Sequence, residues 1–149
     1  IAELARRRPA FDMGSPVLEQ AVARELIPDL DDLLRDRTLL LRAGRDQLVS
    51  EVRNALPEWE TPVPNGGLSL WVSLERPIGT ALSLLARARG LAISAGPRFT
   101  LDGTHERFLR LPYTEPAREL SRGISLLAEV YAAIDPRSYP LAFHPGTVL

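Results

Sequence analysis

One arginine interrupts an otherwise apolar strand pattern in the last third of the chain. The segment 108–113 reads Phe-Leu-Arg-Leu-Pro-Tyr, and its single charge is Arg110. Side chains alternate between the two faces of a strand, so Arg110 is expected to share a face with Phe108 and Pro112. The opposite face is predicted to be core and consists of Leu109, Leu111 and Tyr113.

A guanidinium at this place is suited to binding an acid. Its planar fork of N–H donors matches a carboxylate through two parallel hydrogen bonds, which an ammonium group does less well. We expect strand pairing to stop just after Arg110, because Pro112 has no N–H and favours an extended geometry at Leu111. An arginine that reaches solvent from an edge strand fits the same residues, and the pattern alone leaves both interpretations open.

The residue types exclude several other kinds of chemistry. The 149 residues include no cysteine, which excludes disulfides, thiolate zinc sites and cysteine nucleophiles. The two histidines, His105 and His144, lie far apart in the sequence, and no metal site is expected. All 18 basic residues are arginine, so no side chain here supplies the lysine amine that Schiff-base chemistry needs.

The overall composition is that of a globular domain in water. The chain is 45% hydrophobic and 25% charged with a formal net charge of −1, which is compatible with a single core. No apolar run approaches the roughly 20 residues of a membrane span, and the N-terminus lacks a signal-peptide pattern. A cytoplasmic protein without membrane contact is expected. The near-zero charge gives no electrostatic footprint for DNA or RNA.

Helical patterns fill the first 56 residues. A helix is expected to begin at Pro16, in the first helical position, with Ser15 as its cap, and to end near Leu26. A longer helix is expected from about Asp29 to Leu56, because its leucines recur at spacings of three, four and seven. At about 1.5 Å per residue it would run about 40 Å, which is long enough to bridge two regions.

Strand and helix patterns then alternate over the rest of the chain. We predict strands at 68–74, 91–94 and 108–113, a helix from Pro77 closed by Gly90, a last helix capped by Thr114, and an irregular tail from Asp135. This order predicts an α+β fold, a small sheet with helices packed on it. Three regions follow, namely 1–27, the bridging helix 28–56, and a small domain 57–149.

Several stretches resemble one known fold family in order and spacing. The sequences Pro-Asn-Gly-Gly-Leu-Ser-Leu-Trp-Val at 64–72, Gly-Pro-Arg-Phe at 96–99 and Phe-Leu-Arg-Leu-Pro-Tyr at 108–113 resemble the C-terminal part of fold-type I aminotransferases. Residues 15–21 are similar to the family's segment shortly after its cofactor lysine. Within 96–114, the pattern Gly-Pro-Arg-Phe-x-x-Asp-Gly followed by Leu-Arg-Leu-Pro-Tyr-Thr is most similar to MocR-type members of the GntR transcription regulators. These regulators fuse a winged-helix DNA-binding domain to an aminotransferase-like domain.

The resemblance implies a role for individual residues. It places the arginine that binds the α-carboxylate of a substrate or effector on Arg110, and it puts Ser15 near the cofactor phosphate at a dimer interface. It implies a ligand-pocket lining made of Gly66, Gly67, Gly96 and Phe108. Turn geometry explains the glycines equally well, and helix capping explains Ser15 equally well.

The resemblance also implies a larger parent protein. The family's cofactor lysine and most of its phosphate site lie upstream of the matching region, so residues 1–27 resemble a remnant of the large domain and 57–149 the C-terminal small domain. The parent is expected to bind pyridoxal 5'-phosphate and a small amino-acid-like effector and to form a homodimer. This chain lacks the lysine that would hold the cofactor covalently, so no catalytic residue and no enzyme activity are expected of it by itself, although the parent could be an aminotransferase. DNA contact would come only through an N-terminal winged helix absent from it.

Three functions fit these observations. The first is the effector-binding, aminotransferase-like portion of a MocR-type regulator, which contributes carboxylate recognition and dimerisation. The alternative is a C-terminal fragment of a pyridoxal-phosphate-dependent class I/II aminotransferase. A free-standing small-molecule-binding α+β domain with a helical arm is the third. The upstream sequence separates the first two, because only the regulator carries a winged helix.

Overall fold

The computed structural model describes residues 1–10 and 16–134. The chain divides into two compact units, residues 1–38 and 39–149, and the boundary lies inside the long helix. The predicted tail from residue 135 and the predicted cap Ser15 lie outside the described residues. Across the part that is described, no helix is both long and apolar enough to cross a membrane.

The first unit is helical. Its helices are α1 (Ala2–Arg7), α2 (Val17–Leu26) and the start of α3 (Leu30–Ala55), with short 3-10 turns at Arg8–Ala10 and Ile27–Asp29. Pro16 is the residue before α2 and not its first helical residue as predicted; its carbonyl accepts the Gln20 N–H at 3.2 Å. No residue of α2 is buried, and its exposed apolar side chains include Val17, Leu18, Val22 and Leu26.

The long helix is present as predicted. The 26 residues of α3 correspond to about 39 Å at ~1.5 Å per residue. Asp31 and Asp32 lie in its first turn, where carboxylates complement the positive end of the helix dipole. Near its C-terminal end, Leu48, Val49 and Val52 are buried in the core of the second unit.

A three-stranded antiparallel sheet organises the second unit. Its strands are β1 (Ser69–Ser73), β2 (Ser94–Ala95) and β3 (Phe108–Pro112), in the order β1-β3-β2. The strand that carries Arg110 is therefore central, and the interpretation of Arg110 as an edge-strand residue is wrong. The α+β expectation is confirmed.

Pro112 ends strand pairing on only one side of β3. Pairing with β1 continues through Ser69 opposite Pro112, and the Tyr113 N–H donates to the Leu68 carbonyl at 3.1 Å. The predicted end of all pairing after Arg110 is thus wrong. Backbone N–H groups alternate in direction along an antiparallel strand, so the missing donor of Pro112 faces the β2 side.

The same proline accounts for the short second strand. We predicted a strand at 91–94, whereas β2 covers only Ser94 and Ala95. Ser94 pairs with Arg110, so continuing the register would bring Ala92 opposite Pro112, which has no N–H to donate. The ladder stops there.

Two further helices and the end of α3 cover one face of the sheet. They are α4 (Gly79–Ala88) and α5 (Ala117–Ala132). Gly90 follows α4 with φ +87°, the left-handed conformation predicted for it. Pro116, and not Thr114, precedes α5, and no side chain caps that helix. The predicted core face is confirmed, since Leu109, Leu111 and Tyr113 are all buried.

Gly44 allows α3 to approach the end of β3 closely. A Cβ atom on Gly44 would lie 2.6 Å from the Tyr113 carbonyl oxygen, closer than real Cβ atoms come to another atom. Gly123, within α5, is different, because its Cβ would make an ordinary contact of 3.6 Å with the Leu91 side chain. Close packing therefore requires a glycine at position 44 but not at position 123.

Alanine substitutions at these glycines should change stability in opposite directions. Gly44→Ala is expected to lower the free energy of unfolding by about 1 to 3 kcal/mol through overpacking, despite the better helix propensity of alanine. Gly123→Ala, the matched control, should raise it by up to about 1 kcal/mol. Urea unfolding measures both, and an equal gain for the two variants would contradict the close approach at Gly44.

Candidate functional site

Arg110 lies at the centre of the uncovered face of the sheet. Its neighbours across the ladder are Trp71 on β1 and Ser94 on β2. Because Tyr113 and Leu68 are hydrogen-bonded partners, alternation makes Trp71 and Arg110 a non-hydrogen-bonded pair, whose Cα atoms typically lie about 4.5 Å apart. The Arg110 side chain is exposed and Trp71 is half-buried.

Four ring side chains contact one another on this side of the sheet and are called the aromatic cluster here: Trp71, Phe99, His105 and Phe108. Trp71 stacks on Phe108 with ring centroids 5.4 Å apart and an interplanar angle of 14°. Phe99 meets Trp71 edge to face at 5.6 Å, and His105 lies 5.5 Å from Phe108. The predicted lining residue Phe108 is thus one member of a larger group.

The guanidinium of Arg110 is held without using its donors. Its Cζ atom lies 5.9 Å from the centroid of the Phe99 ring, within the range of a cation–π contact. Within residues 1–10 and 16–134, no hydrogen bond or ion pair involves the Arg110 side chain. The fork of N–H groups on this exposed face is therefore available to an acceptor from outside the chain.

Gly96 fits beneath the loop that leads into β3. A Cβ on Gly96 would collide with the His105 carbonyl oxygen and lie 2.9 Å from the His105 Cβ. His105 itself has φ +72°, a left-handed conformation that is uncommon for residues other than glycine. The close contact of Gly96 is with the backbone of His105, and it places the imidazole in the aromatic cluster.

The adjacent Glu106 fastens this loop to the start of α4. Its carbonyl accepts the Gly79 N–H at 2.7 Å, and its carboxylate accepts the Thr80 N–H at 2.9 Å and the Thr80 hydroxyl at 2.7 Å. These bonds satisfy donors that a helix N-terminus leaves unpaired, and the negative charge complements the helix dipole. The loop conformation, and with it His105, is fixed from two sides.

The remaining predicted residues are not gathered around Arg110. The Tyr113 hydroxyl donates to the carbonyls of Gly67 at 2.7 Å and Gly66 at 3.4 Å, at the end of the ladder beyond Pro112. Gly67 has φ +90°, so its turn requires glycine. Ser15 lies outside the described residues. Gly66 and Gly67 are held by Tyr113 in this structure.

A cleft elsewhere in this unit is chemically unlike the Arg110 face. A cleft of about 320 Å³ lies between α5 and residues 91–93, with mainly apolar walls. Its charged lining residues are Glu115 and Glu119. Two carboxylates would repel an acid, so the cleft does not compete with Arg110 for such a ligand.

Curated proteins and solved structures that are similar to this chain are aminotransferases. No family model matches the chain. It is 26% identical over 130 residues to an LL-diaminopimelate aminotransferase of Dehalococcoides mccartyi, covering 86% of this chain and 32% of the relative. The chain thus spans about a third of the length of the curated relatives it matches.

Solved structures show the same relationship. The α-aminoadipate aminotransferase LysN of Thermus thermophilus superposes with a TM-score of 0.75 at 21% identity, over 88% of this chain and 35% of LysN. The chain has the fold of part of a fold-type I aminotransferase. The kynurenine aminotransferase of Pyrococcus horikoshii agrees, with a TM-score of 0.71 at 22% identity, over 88% of this chain and 34% of that one. The predicted fold class is confirmed.

Reasoning from the sequence missed three members of the aromatic cluster. Trp71 belongs to the alternating strand and to the motif at 64–72, and the alternation already puts it on the face away from the core. Phe99 and His105 lie in a 3-10 turn and a loop, where no periodicity predicts side-chain direction. Only the fold brings them into contact with Trp71 and Phe108.

The loop before β3 contains a carboxyl group whose titration tests its structure. The Thr104 hydroxyl, donating at 2.8 Å, and the Thr104 amide, at 3.2 Å, lower the pKa of Asp102 below its ordinary value. A carboxyl with a lowered folded pKa stabilises the fold above its unfolded pKa. That contribution is lost as the pH falls through the folded value.

Thr104→Val should return the pKa of Asp102 towards its ordinary value, because it removes the stronger of the two hydrogen bonds. Thr104→Ser keeps the hydroxyl and should leave the lowered pKa in place. An NMR titration of the Asp102 carboxyl carbon measures both. The same low pKa in all three proteins would mean that the Thr104 hydroxyl does not hold this loop.

Proposed function

We propose that this chain is the C-terminal part of a pyridoxal-phosphate-dependent aminotransferase-type protein and that Arg110 binds the carboxylate of an amino-acid-like ligand. The observation that carries the proposal is the exposed guanidinium on the central strand, whose donors are free of hydrogen bonds and ion pairs within the described residues. The aminotransferase fold and the aminotransferase relatives support it.

The geometry around Arg110 is suited to this task. A central strand is hydrogen-bonded on both sides and moves less than an edge strand or loop. The Phe99 ring limits the positions of the guanidinium while leaving its N–H edges free. Such preorganisation lowers the entropy cost of binding and favours two-point recognition of a carboxylate.

The cofactor would attach elsewhere in the parent protein. The LysN structure is a complex with N-(5'-phosphopyridoxyl)-L-leucine, in which cofactor and amino acid are joined. The chain described here has no lysine, so it does not supply the amine to which pyridoxal phosphate attaches. Bound pyridoxal phosphate serves as an electron sink for carbanions, and this chain would contribute the carboxylate end of the ligand site.

The regulator hypothesis remains a second candidate. Its support is the sequence at 96–103 and 109–114, which is most similar to MocR-type regulators. The curated relatives it matches are aminotransferases, and this favours the enzyme. A winged helix upstream in the full-length protein, with DNA binding altered by amino acids, would favour the regulator; transamination without such a domain would favour the enzyme.

We also propose that the parent self-associates, partly through α2. Its side chains Val17, Leu18 and Val22 are exposed, and clustered apolar surface of this kind marks interfaces. Sedimentation of the full-length protein at concentrations on the order of tens of micromolar should show a dimer, weakened by Leu18→Glu. The control Leu84→Glu, at an exposed leucine of α4, should leave it unchanged. A wild-type monomer would contradict this proposal.

Arg110→Lys in the full-length protein should weaken binding of a carboxylate ligand about tenfold or more. The variant keeps the charge but loses the paired hydrogen bonds, a penalty of roughly 1.5 to 3 kcal/mol. The fold should survive, because the side chain is exposed. Calorimetric titration with candidate amino acids measures the change.

Arg118→Lys is the matched control. Arg118 is an exposed arginine on α5 whose ion pair with Glu119, at 3.4 Å, lies at the surface. Its substitution should change affinity by no more than a few tenths of a kcal/mol. Equal affinities of wild type and Arg110→Lys for every acid tested would leave Arg110 without a binding role.

A further inference from the structure

The surroundings of the free guanidinium are aromatic. Phe99 remains 51% exposed although its ring lies beside Arg110, and Trp71 is the direct cross-strand neighbour. The opposite neighbour, Ser94, is small and uncharged. The register therefore places no second cation directly beside Arg110 on either strand.

This arrangement favours some chemical groups over others next to a bound carboxylate. Once a carboxylate occupies the guanidinium fork, the atoms attached to it lie within reach of the Phe99 and Trp71 rings. A ring or large apolar group would remove apolar surface from water there and make edge-to-face or stacked contacts. A second carboxylate would lose hydration against these rings without a paired cation on the flanking strands.

Resting on the proposed carboxylate-binding role of Arg110, we propose that Phe99 and Trp71 determine specificity and select monocarboxylate ligands that carry an aromatic or large apolar group. Phe99 is the more accessible of the two rings. Trp71, stacked on Phe108, forms the floor. The site thus distinguishes ligands by the group beyond the carboxylate.

A simpler role for Phe99 predicts a different result. If its ring only positions the guanidinium, replacing it weakens every acid by the same factor. If it touches the ligand side chain, replacement weakens acids with an aromatic group more than small acids. The ratio of two affinities therefore separates a specificity-determining residue from a positioning residue.

The experiment uses the full-length protein and four probes without an amine, which bind without reacting at a cofactor. The probes are 3-phenylpropionate, propionate, succinate and 3-phenylpropionamide. Calorimetric titration should rank 3-phenylpropionate first, about tenfold or more tighter than propionate and tighter than succinate. 3-Phenylpropionamide, which lacks the carboxylate, should bind more weakly than 3-phenylpropionate.

Variants locate the source of this preference. Phe99→Leu should reduce the ratio of the 3-phenylpropionate and propionate affinities by about three- to tenfold, the usual value of an aromatic contact. Phe99→Tyr keeps the ring and should preserve the ratio even if the leucine variant folds poorly. Leu101→Ser is the loop control, because that side chain is fully exposed.

The possible failures are distinguishable. If 3-phenylpropionate and its amide bind equally, the carboxylate role of Arg110 fails, and the selectivity falls with it. If acids bind better than the amide but propionate or succinate equals 3-phenylpropionate, only the aromatic selectivity is overturned. A uniform loss for all acids in Phe99→Leu overturns the specificity role and makes Phe99 a positioning residue.

Discussion

The double pairing of β3 is the constraint on which the second unit depends. Hydrogen bonds to β1 and β2 hold this strand on both sides, so its two faces cannot rotate. One face buries Leu109 and Leu111 in the core, and the other must then present Arg110. Slipping the register by one residue would put the arginine into the core and a leucine on the surface, so core packing and the candidate site are specified by the same pairing.

Close backbone contacts reinforce this arrangement. Three glycines from different elements, Gly44, Gly79 and Gly96, each leave room for a carbonyl oxygen of the segment 105–113 that a Cβ would otherwise meet. Helix α3, the start of α4 and the turn after β2 therefore all pack directly on the backbone around β3. A side chain at any of the three positions would push the strand or its loop away. The candidate site thus inherits its rigidity from contacts that lie on the far side of the strand or at its ends.

This chain supplies only part of the proposed ligand site. The chain supplies an oriented guanidinium with aromatic walls, whereas the lysine chemistry expected of a pyridoxal phosphate enzyme has no counterpart among its 149 residues. This agrees with a chain that spans about a third of its curated relatives. Regulator and enzyme would use the same carboxylate contact, so the Arg110 face is compatible with both proposals, and the difference lies in the rest of the parent protein.

Local patterns in the sequence determined the element types, the long helix, the left-handed Gly90 and the buried side of β3, because hydrophobic periodicity and glycine conformation are properties of neighbouring residues. They also showed that Arg110 is the single charge of that strand. Only the tertiary structure decided that β3 is central, that Pro112 interrupts one ladder and not the other, and that Trp71 and Phe99 flank the guanidinium. Those facts depend on which strands pair and in which register, and pairing is set by packing between residues far apart in the chain, which no local window of sequence contains.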